Sequence, residues 1–284
     1  MNPASFDLHE FVRRVLAEDM GSGGDVTSAA TIEADARFVA AMNCREPITV
    51  AGLDIAAAFF RELDREMMIE LCVRDGDRAE AGTVLMRLEG NARAMLTAER
   101  SALNTLQHLS GIATLTRRYV DAIAGTGAVL LDTRKTIPGL RLLDKYAARM
   151  GGAENHRMRL DDGVLIKDNH VAVNGGVGQA VRRAKAANTG LQVQVEVDQL
   201  EQIIPALEAG ADRLLLDNME PQTLRQAVAI VGGRVPLEAS GGVNLDTIRG
   251  IAESGVDYIS VGRITQSAPA VDIGLDFALK PYPS

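Results

Sequence analysis

Between Gly127 and Asn174 the sequence reads GAVLLDTRKTIPGLRLLDKYAARMGGAENHRMRLDDGVLIKDNHVAVN, and it gathers side chains suited to holding anions. Two apolar runs, Ala128 to Leu131 and Val164 to Ile166, stop at charged residues: Asp132-Thr133-Arg134-Lys135 after the first, Lys167-Asp168-Asn169-His170 after the second. Between them lie a helical pattern (Leu140, Leu143, Tyr146, Ala147), the pair Gly151-Gly152 and the cluster Glu154-Asn155-His156-Arg157. Arg134, Lys135, Arg157 and Lys167, with His156, can neutralise carboxylates or phosphates, and an arginine does so through two parallel hydrogen bonds. Further along, Glu196 and Asp217 suit a hard cation such as Mg2+ held through a phosphate or polyol, or could bind sugar hydroxyls directly. Ser240-Gly241-Gly242 and Val261-Gly262-Arg263 offer backbone N–H groups to a terminal phosphate. Taken singly, His156 reads as a capping or core residue and one acidic strand end as a helix cap. Their convergence is what points to a site.

The elements that must position these groups follow from periodicity. After Gly125 strand and helix patterns alternate, with strands expected at 128–132, 163–167, 191–197, 213–217, 234–239 and 257–261. Every one ends in polar residues, as strands do at the carboxyl edge of a parallel barrel or open α/β sheet. A weak internal echo, Ala209-Gly210-Ala211-Asp212 before LLLDN and Ser254-Gly255-Val256-Asp257 before YISVG, fits repeated βα units. Six visible strands fall short of the eight of a complete barrel, which leaves open and closed forms equally weighted.

Ahead of this region the pattern is mixed. A helix is expected at 5–18, a glycine-rich structural turn at Gly21 to Asp25, a strand at 37–43, a helix at 52–63 and strands at 67–74 and 83–88. From Thr97 to Ile123 the period is helical, with an apolar stripe of Leu103, Leu106, Leu109, Ile112, Leu115, Tyr119 and Ile123 interrupted at Gly111. This places an amino-terminal domain at 1–110 and a barrel at 111–269, with the tail at about 270–284 packing back on the first. Arg100, in the first turn of the long helix, reads on its own as a solvated surface group.

Composition narrows the partners. A net charge of -8 over 284 residues disfavours nucleic acid and anionic membranes, so clustered Arg and Lys suggest a local pocket for an acidic small molecule. Acidic residues near the start, where a signal peptide needs an apolar core, make the cytoplasm the expected location. Cys44 and Cys72 form no metal or redox spacing and read as structural thiols. No HExxH, CxxC pair or nucleophile elbow occurs, which disfavours a permanent zinc site or a serine hydrolase.

DTRKT at 132–136, GGAENHRMRLDDGVLIKDNH at 151–170, VEVD at 195–198, LLLDN at 214–218, EASGGV at 238–243 and ISVGRITQSAP at 259–269 resemble the quinolinate phosphoribosyltransferases. This family is also called nicotinate-nucleotide pyrophosphorylase (carboxylating). The similarity extends to EDMGSGGDVTS near the start and AERSALNTLQHLSGIAT at 98–114. The resemblance implies an amino-terminal α/β sandwich, an open seven-stranded α/β barrel, and a homodimer in which each amino-terminal domain covers its neighbour's barrel. It implies transfer of phosphoribose from phosphoribosyl pyrophosphate to quinolinate, releasing pyrophosphate and CO2 and forming nicotinate mononucleotide for NAD synthesis. By the same resemblance Arg134, Arg157 and Lys167 hold the quinolinate carboxylates, with His156 beside them and Arg100 arriving from the other subunit. Lys135 neutralises the leaving pyrophosphate; Glu196 and Asp217 bind the ribose hydroxyls and the accompanying Mg2+; Ser240, Gly241, Gly242 and Gly262 take the 5'-phosphate.

These assignments agree with the chemistry. Quinolinate is a dianion and its donor is more highly charged, so an acidic protein needs a concentrated cationic pocket to bind them. Two alternatives fit the same strand ends less fully: a paralogous phosphoribosyltransferase with another pyridine or pyrimidine acceptor, and an aldolase-type lyase using Lys167 or Lys135 as a Schiff-base nucleophile.

Overall fold

The computed structural model describes residues 6–278; the start of the first expected helix at Ser5 and the tail at 279–284 lie outside them. The chain divides into two compact units. The first is drawn from Met1–Leu115, Leu142–Gly151 and Ala268–Ser284, the second from Thr116–Arg141 and Gly152–Ser267.

The first unit opens with α1 (Leu8–Met20), whose first turn is capped by Asp7 accepting the Glu10 N–H at 2.9 Å. The short α2 (Val26–Thr31) is capped in the same way by Asp25, which closes the glycine-rich turn. There follow β1 (Arg37–Cys44), β2 (Ile48–Thr49), α3 (Leu53–Leu63), β3 (Met68–Leu71), β4 (Arg78–Ala79) and β5 (Val84–Asn91). Phe11 of α1 meets Phe59 of α3 edge-on at 6.1 Å, and Phe59 and Phe60 are wholly buried. Each such side chain stabilises the fold by roughly 1.5–3 kcal/mol through removal of apolar surface from water.

The helical stripe becomes α4 (Ala92–Ala122), and all of Leu103, Leu106, Leu109, Ile112, Leu115 and Tyr119 are buried. The helix begins ahead of Thr97 and runs straight through Gly111. Glycine is present there because a Cβ would overlap the carbonyl of Pro269. The interruption in the stripe is therefore a close approach of backbone, not a break.

The second unit carries the expected strands as β6 (Val129–Leu131), then, after α5 (Arg141–Met150), β7 (Val164–Ile166). Beyond α6 (Asp168–Asn174) and α7 (Val177–Ala186) come β8 (Val193–Val197), α8 (Ile203–Glu208), β9 (Arg213–Asp217), α9 (Pro221–Val231), β10 (Leu237–Ser240), α10 (Ile248–Ala252), β11 (Tyr258–Ser260) and α11 (Arg263–Gln266). The six strands form one parallel sheet in the order β6-β11-β10-β9-β8-β7. A parallel bridge between Leu131 and Glu154 adds a seventh position beside β6. Among the described residues β7 pairs with β8 alone, so the barrel is open.

The echo has a physical cause. Asp212, just ahead of β9, accepts the N–H of Val193 at 2.7 Å, and Asp257, just ahead of β11, accepts that of Leu237 at 2.7 Å. Each aspartate also donates its own N–H back to the same residue's carbonyl, at 2.8 and 3.0 Å.

In the first unit α5 is held by two partly buried polar contacts. Asp144, fully buried, faces His108 Nε2 at 2.9 Å, and the Tyr146 hydroxyl donates to Asp75 at 2.5 Å. The last strand, β12 (Ile273–Ala278), pairs antiparallel with β1, giving a four-stranded sheet in the order β12-β1-β5-β3.

Candidate active site

Parallel strands place alternate side chains on opposite faces. In β8, β9, β10 and β11 the apolar set Val193, Val195, Val197, Leu214, Leu216, Leu237, Ala239 and Ile259 is buried against the helices. The other set runs Gln194 and Glu196, then Arg213, Leu215 and Asp217, then Glu238 and Ser240, then Tyr258 and Ser260, and it lines the interior hollows. A cavity of about 590 Å³ opens at the carboxyl ends, walled by Arg134, Lys135, His156, Arg157, Lys167, Glu196, Asp217 and Ser240 to Gly242. Ten of the twelve expected site residues thus share one wall; Gly262 and Arg100 are the exceptions. Gly262 lies under the Lys135 stem, where a Cβ would come within 2.7 Å of Lys135 Cδ. Arg100 is exposed on α4, in the first unit.

The cations are fixed by backbone geometry. Asp132, fully buried at the end of β6, accepts the His156 N–H at 2.8 Å and the Asn155 carboxamide at 2.5 Å. That ties the 155–157 loop to the strand that delivers Arg134. Arg157 donates from Nη1 to the Gly163 carbonyl at 2.8 Å. Burial, and then the neighbouring charge of Arg134, hold the Arg157 guanidinium below its ordinary value. Arg134 Nε is buried with no hydrogen-bond partner among the described residues. An unpartnered Arg134 Nε beside a second guanidinium, that of Arg157, is what an incoming carboxylate would satisfy. Lys135 is set from both sides: its N–H donates to Thr133 Oγ1 at 3.0 Å and its carbonyl accepts from Thr265 Oγ1 at 2.8 Å.

His156 is engaged on both ring nitrogens. Nδ1 accepts the Arg157 N–H at 2.8 Å, which assigns the proton of the neutral ring to Nε2. Nε2 faces Gln194 Oε1 at 3.2 Å and Glu238 Oε2 at 3.4 Å. Glu238, completely buried, also takes Gln194 Nε2 at 2.8 Å and faces Arg213 Nη2 at 2.8 Å, while the Arg213 guanidinium lies 3.9 Å over the Tyr258 ring. Burial alone would raise the Glu238 carboxyl, but His156, Arg213 and Gln194 outweigh it and hold the group below the ordinary carboxylate range. This layer forms the floor. Beyond it a second hollow of about 460 Å³ shares His156, Arg157 and Leu165 with the first.

Glu238, Gln194, Arg213, Asp132 and Asn218 were absent from the site read in the sequence. The signal for the first three was present as polar residues an even number of positions apart, two in VQVEV and LEAS and four in RLLLD, inside otherwise apolar strands. Asp132 and Asn218 carry their roles through contacts with neighbouring backbone and side chains that sequence does not display.

The family described as quinolinate phosphoribosyl transferase, N-terminal domain, matches residues 25–110, and its C-terminal domain matches residues 112–276. The chain belongs to the quinolinate phosphoribosyltransferase family. A nicotinate-nucleotide pyrophosphorylase [carboxylating] of Mycobacterium leprae (strain TN) is 44% identical over 283 residues, 97% of this chain and 99% of that one. Among solved structures, the nicotinate-nucleotide pyrophosphorylase of Francisella tularensis superposes with a TM-score of 0.91 at 41% identity, covering 95% of this chain and 96% of that one. That of Ehrlichia chaffeensis gives 0.92 at 40%, covering 96% and 100%. The chain is accordingly an α/β protein with an amino-terminal domain and an open α/β barrel, a transferase of the pentosyl class.

Proposed function

We propose that this protein transfers phosphoribose from 5-phosphoribosyl 1-pyrophosphate to quinolinate with loss of CO2, forming nicotinate mononucleotide for NAD synthesis. The observation that carries the reading is that one cavity is lined by two chemical sets. Arg134, Arg157 and Lys167 come from the segments that follow β6 and β7, and Glu196, Asp217 and Ser240 to Gly242 from the ends of β8, β9 and β10. The first group suits the two acceptor carboxylates and the second a phosphorylated sugar.

In the reaction the pyridine nitrogen is the nucleophile, so no side chain need form a covalent intermediate. Positive charge grows on the sugar ring as pyrophosphate leaves, and Lys135, which lines the cavity, would neutralise the departing charge. The cationic pocket orients the acceptor nitrogen toward the sugar, converting a two-body encounter into a positioned one. Once the ring nitrogen is quaternised its positive charge stabilises the electron pair that the C2–carboxylate bond leaves on C2 as CO2 departs, and that carbon then takes a proton from water, so no side chain need be an obligatory acid.

Two carboxylates on neighbouring strands fit Mg2+ shared with the donor, because a hard cation bound this way keeps most of its sites for substrate oxygens and water. Among the described residues no group of three or more acidic, histidine or cysteine side chains could form a complete metal cage. Mg2+ would supply charge neutralisation at the donor's oxygens, held by Glu196 and Asp217.

The homodimer with shared sites, Arg100 reaching a neighbour's acceptor, is part of the same proposal, as is action in the cytoplasm. Leu160 and Val173, 70% and 85% exposed near Arg157 and Lys167 in the chain, give a second copy apolar surface to cover. Among the described residues no helix is long and apolar enough to cross a membrane. The test is product analysis after mixing protein, donor, Mg2+ and quinolinate. Nicotinate mononucleotide, pyrophosphate and CO2 should appear in equal amounts; an imine trapped by borohydride with a keto substrate would favour the lyase instead.

A further inference from the structure

Asn218 follows β9 directly and adopts a left-handed backbone, φ 55°, one of two non-glycine residues among those described with positive φ. Asparagine tolerates this region better than most side chains. Three of its polar groups meet parts of the cavity wall. The carboxamide Nδ2 donates to Asp217 Oδ2 at 2.5 Å, the backbone N–H donates to the Ser240 carbonyl at 2.8 Å, and the carboxamide oxygen packs on Gly241. Gly241, itself at φ 91°, could carry no side chain, since a Cβ would collide with that carboxamide. Asp217 and Ser240 are register partners across β9 and β10, so one residue bridges the ends of both strands. Asp217 Oδ1 is left with no hydrogen bond among the described residues.

We propose that Asn218 is a positioning residue that fixes the Asp217 carboxylate and the Ser240–Gly241 turn as a single rigid cradle for the phosphoribosyl donor. A carboxylate hydrogen-bonded on one oxygen is restrained about its χ2 torsion, which leaves Oδ1 of this cavity-lining residue for a ligand. The turn that offers N–H groups to the 5'-phosphate is fixed by the same side chain, so the spacing between the sugar-hydroxyl and phosphate contacts is set before the donor arrives. This inference rests on the assignment of Asp217 to the donor.

Three variants separate the possibilities: Asn218→Gly, which keeps the left-handed backbone and deletes the carboxamide; Asn218→Asp, which keeps its shape and places a second carboxylate against Asp217; and Asp217→Asn. Calorimetry without acceptor measures binding of phosphoribosyl pyrophosphate with Mg2+; quinolinate binding and both KM values are measured separately. For Asn218→Gly the donor Kd and KM should rise roughly tenfold, the loss expected for one hydrogen bond to a charged group, while quinolinate binding stays within about twofold. Asn218→Asp should weaken the donor further. Wild-type donor binding in Asn218→Gly would overturn the proposal, since it would leave Asn218 only its left-handed turn. Equal loss of both substrates with a lowered Tm would overturn it too. Unchanged donor binding in Asp217→Asn would instead remove the donor assignment on which the proposal stands.

Discussion

Lys167 Nζ lies 3.2 Å from Glu196 Oε2, so a cation assigned to the acceptor is paired with a carboxylate assigned to the donor. Lys167 is half exposed and Glu196 largely covered, so the contact sits at the open rim of the two subsites. Quinolinate taking the ammonium would release Glu196, and a donor taking Glu196 would release Lys167. Each substrate should therefore bind more tightly in the presence of the other. With benzene-1,2-dicarboxylate as an acceptor lacking the reactive nitrogen, donor affinity should improve roughly fivefold or more, and the diacid should gain by the same factor from the donor. Independent binding in calorimetry would rule this coupling out.

Acceptor choice follows from Arg134 and Arg157. Nicotinate lacks the 2-carboxylate, and its use would leave one buried guanidinium edge without an acceptor, at a cost of roughly 1–3 kcal/mol. Quinolinate should be preferred by at least about tenfold in kcat/KM. Equal values for the two acids would contradict the assignment.

Arg100 tests the dimer. Arg100→Ala and Lys167→Ala should each inactivate a homodimer with shared sites. Mixed dimers then contain one doubly damaged and one intact site, and random exchange of subunits should restore roughly a quarter of wild-type activity. Exchange confirmed by a mass tag with no activity regained would show that Arg100 does not act across subunits.

Acid stability should depend on Glu238. Its folded pKa lies below the ordinary carboxylate range, so the unfolded chain binds more protons as pH falls through this range. The contribution is present in full above the unfolded value and is lost as pH drops through the folded one. Wild type should lose Tm steeply on acidification below about pH 4.5. Glu238→Gln should be less stable at neutral pH, where Arg213 loses its countercharge, and should show a flatter acid limb. Parallel melting curves for the two proteins would place the acid sensitivity elsewhere.

Much of the second unit was legible because buried parallel strands are short apolar runs with abrupt polar ends, and 213–217 is recovered to the residue. The two-residue strands β2 and β4 were not legible, since Ile48-Thr49 and Arg78-Ala79 carry no period. The site was legible at its rim, where Arg134, Lys167 and Glu196 follow apolar runs. Its floor was not. Glu238 and Arg213 look like ordinary charges until the fold buries them face to face, and the meaning of Asn218 lies in a backbone angle.

The paired aspartates ahead of β9 and β11 separate what holds a strand from what that strand offers a ligand. Asp212 and Asp257 clamp the strand starts, while Asp217, Ser240 and Ser260 stand a strand's length away at the mouth. Asp257→Asn should lower Tm and leave both KM values unaltered. The mouth, by contrast, can be rewritten residue by residue over an unchanged foundation, so one barrel of this kind can be refitted for a different acid by exchanging strand endings alone.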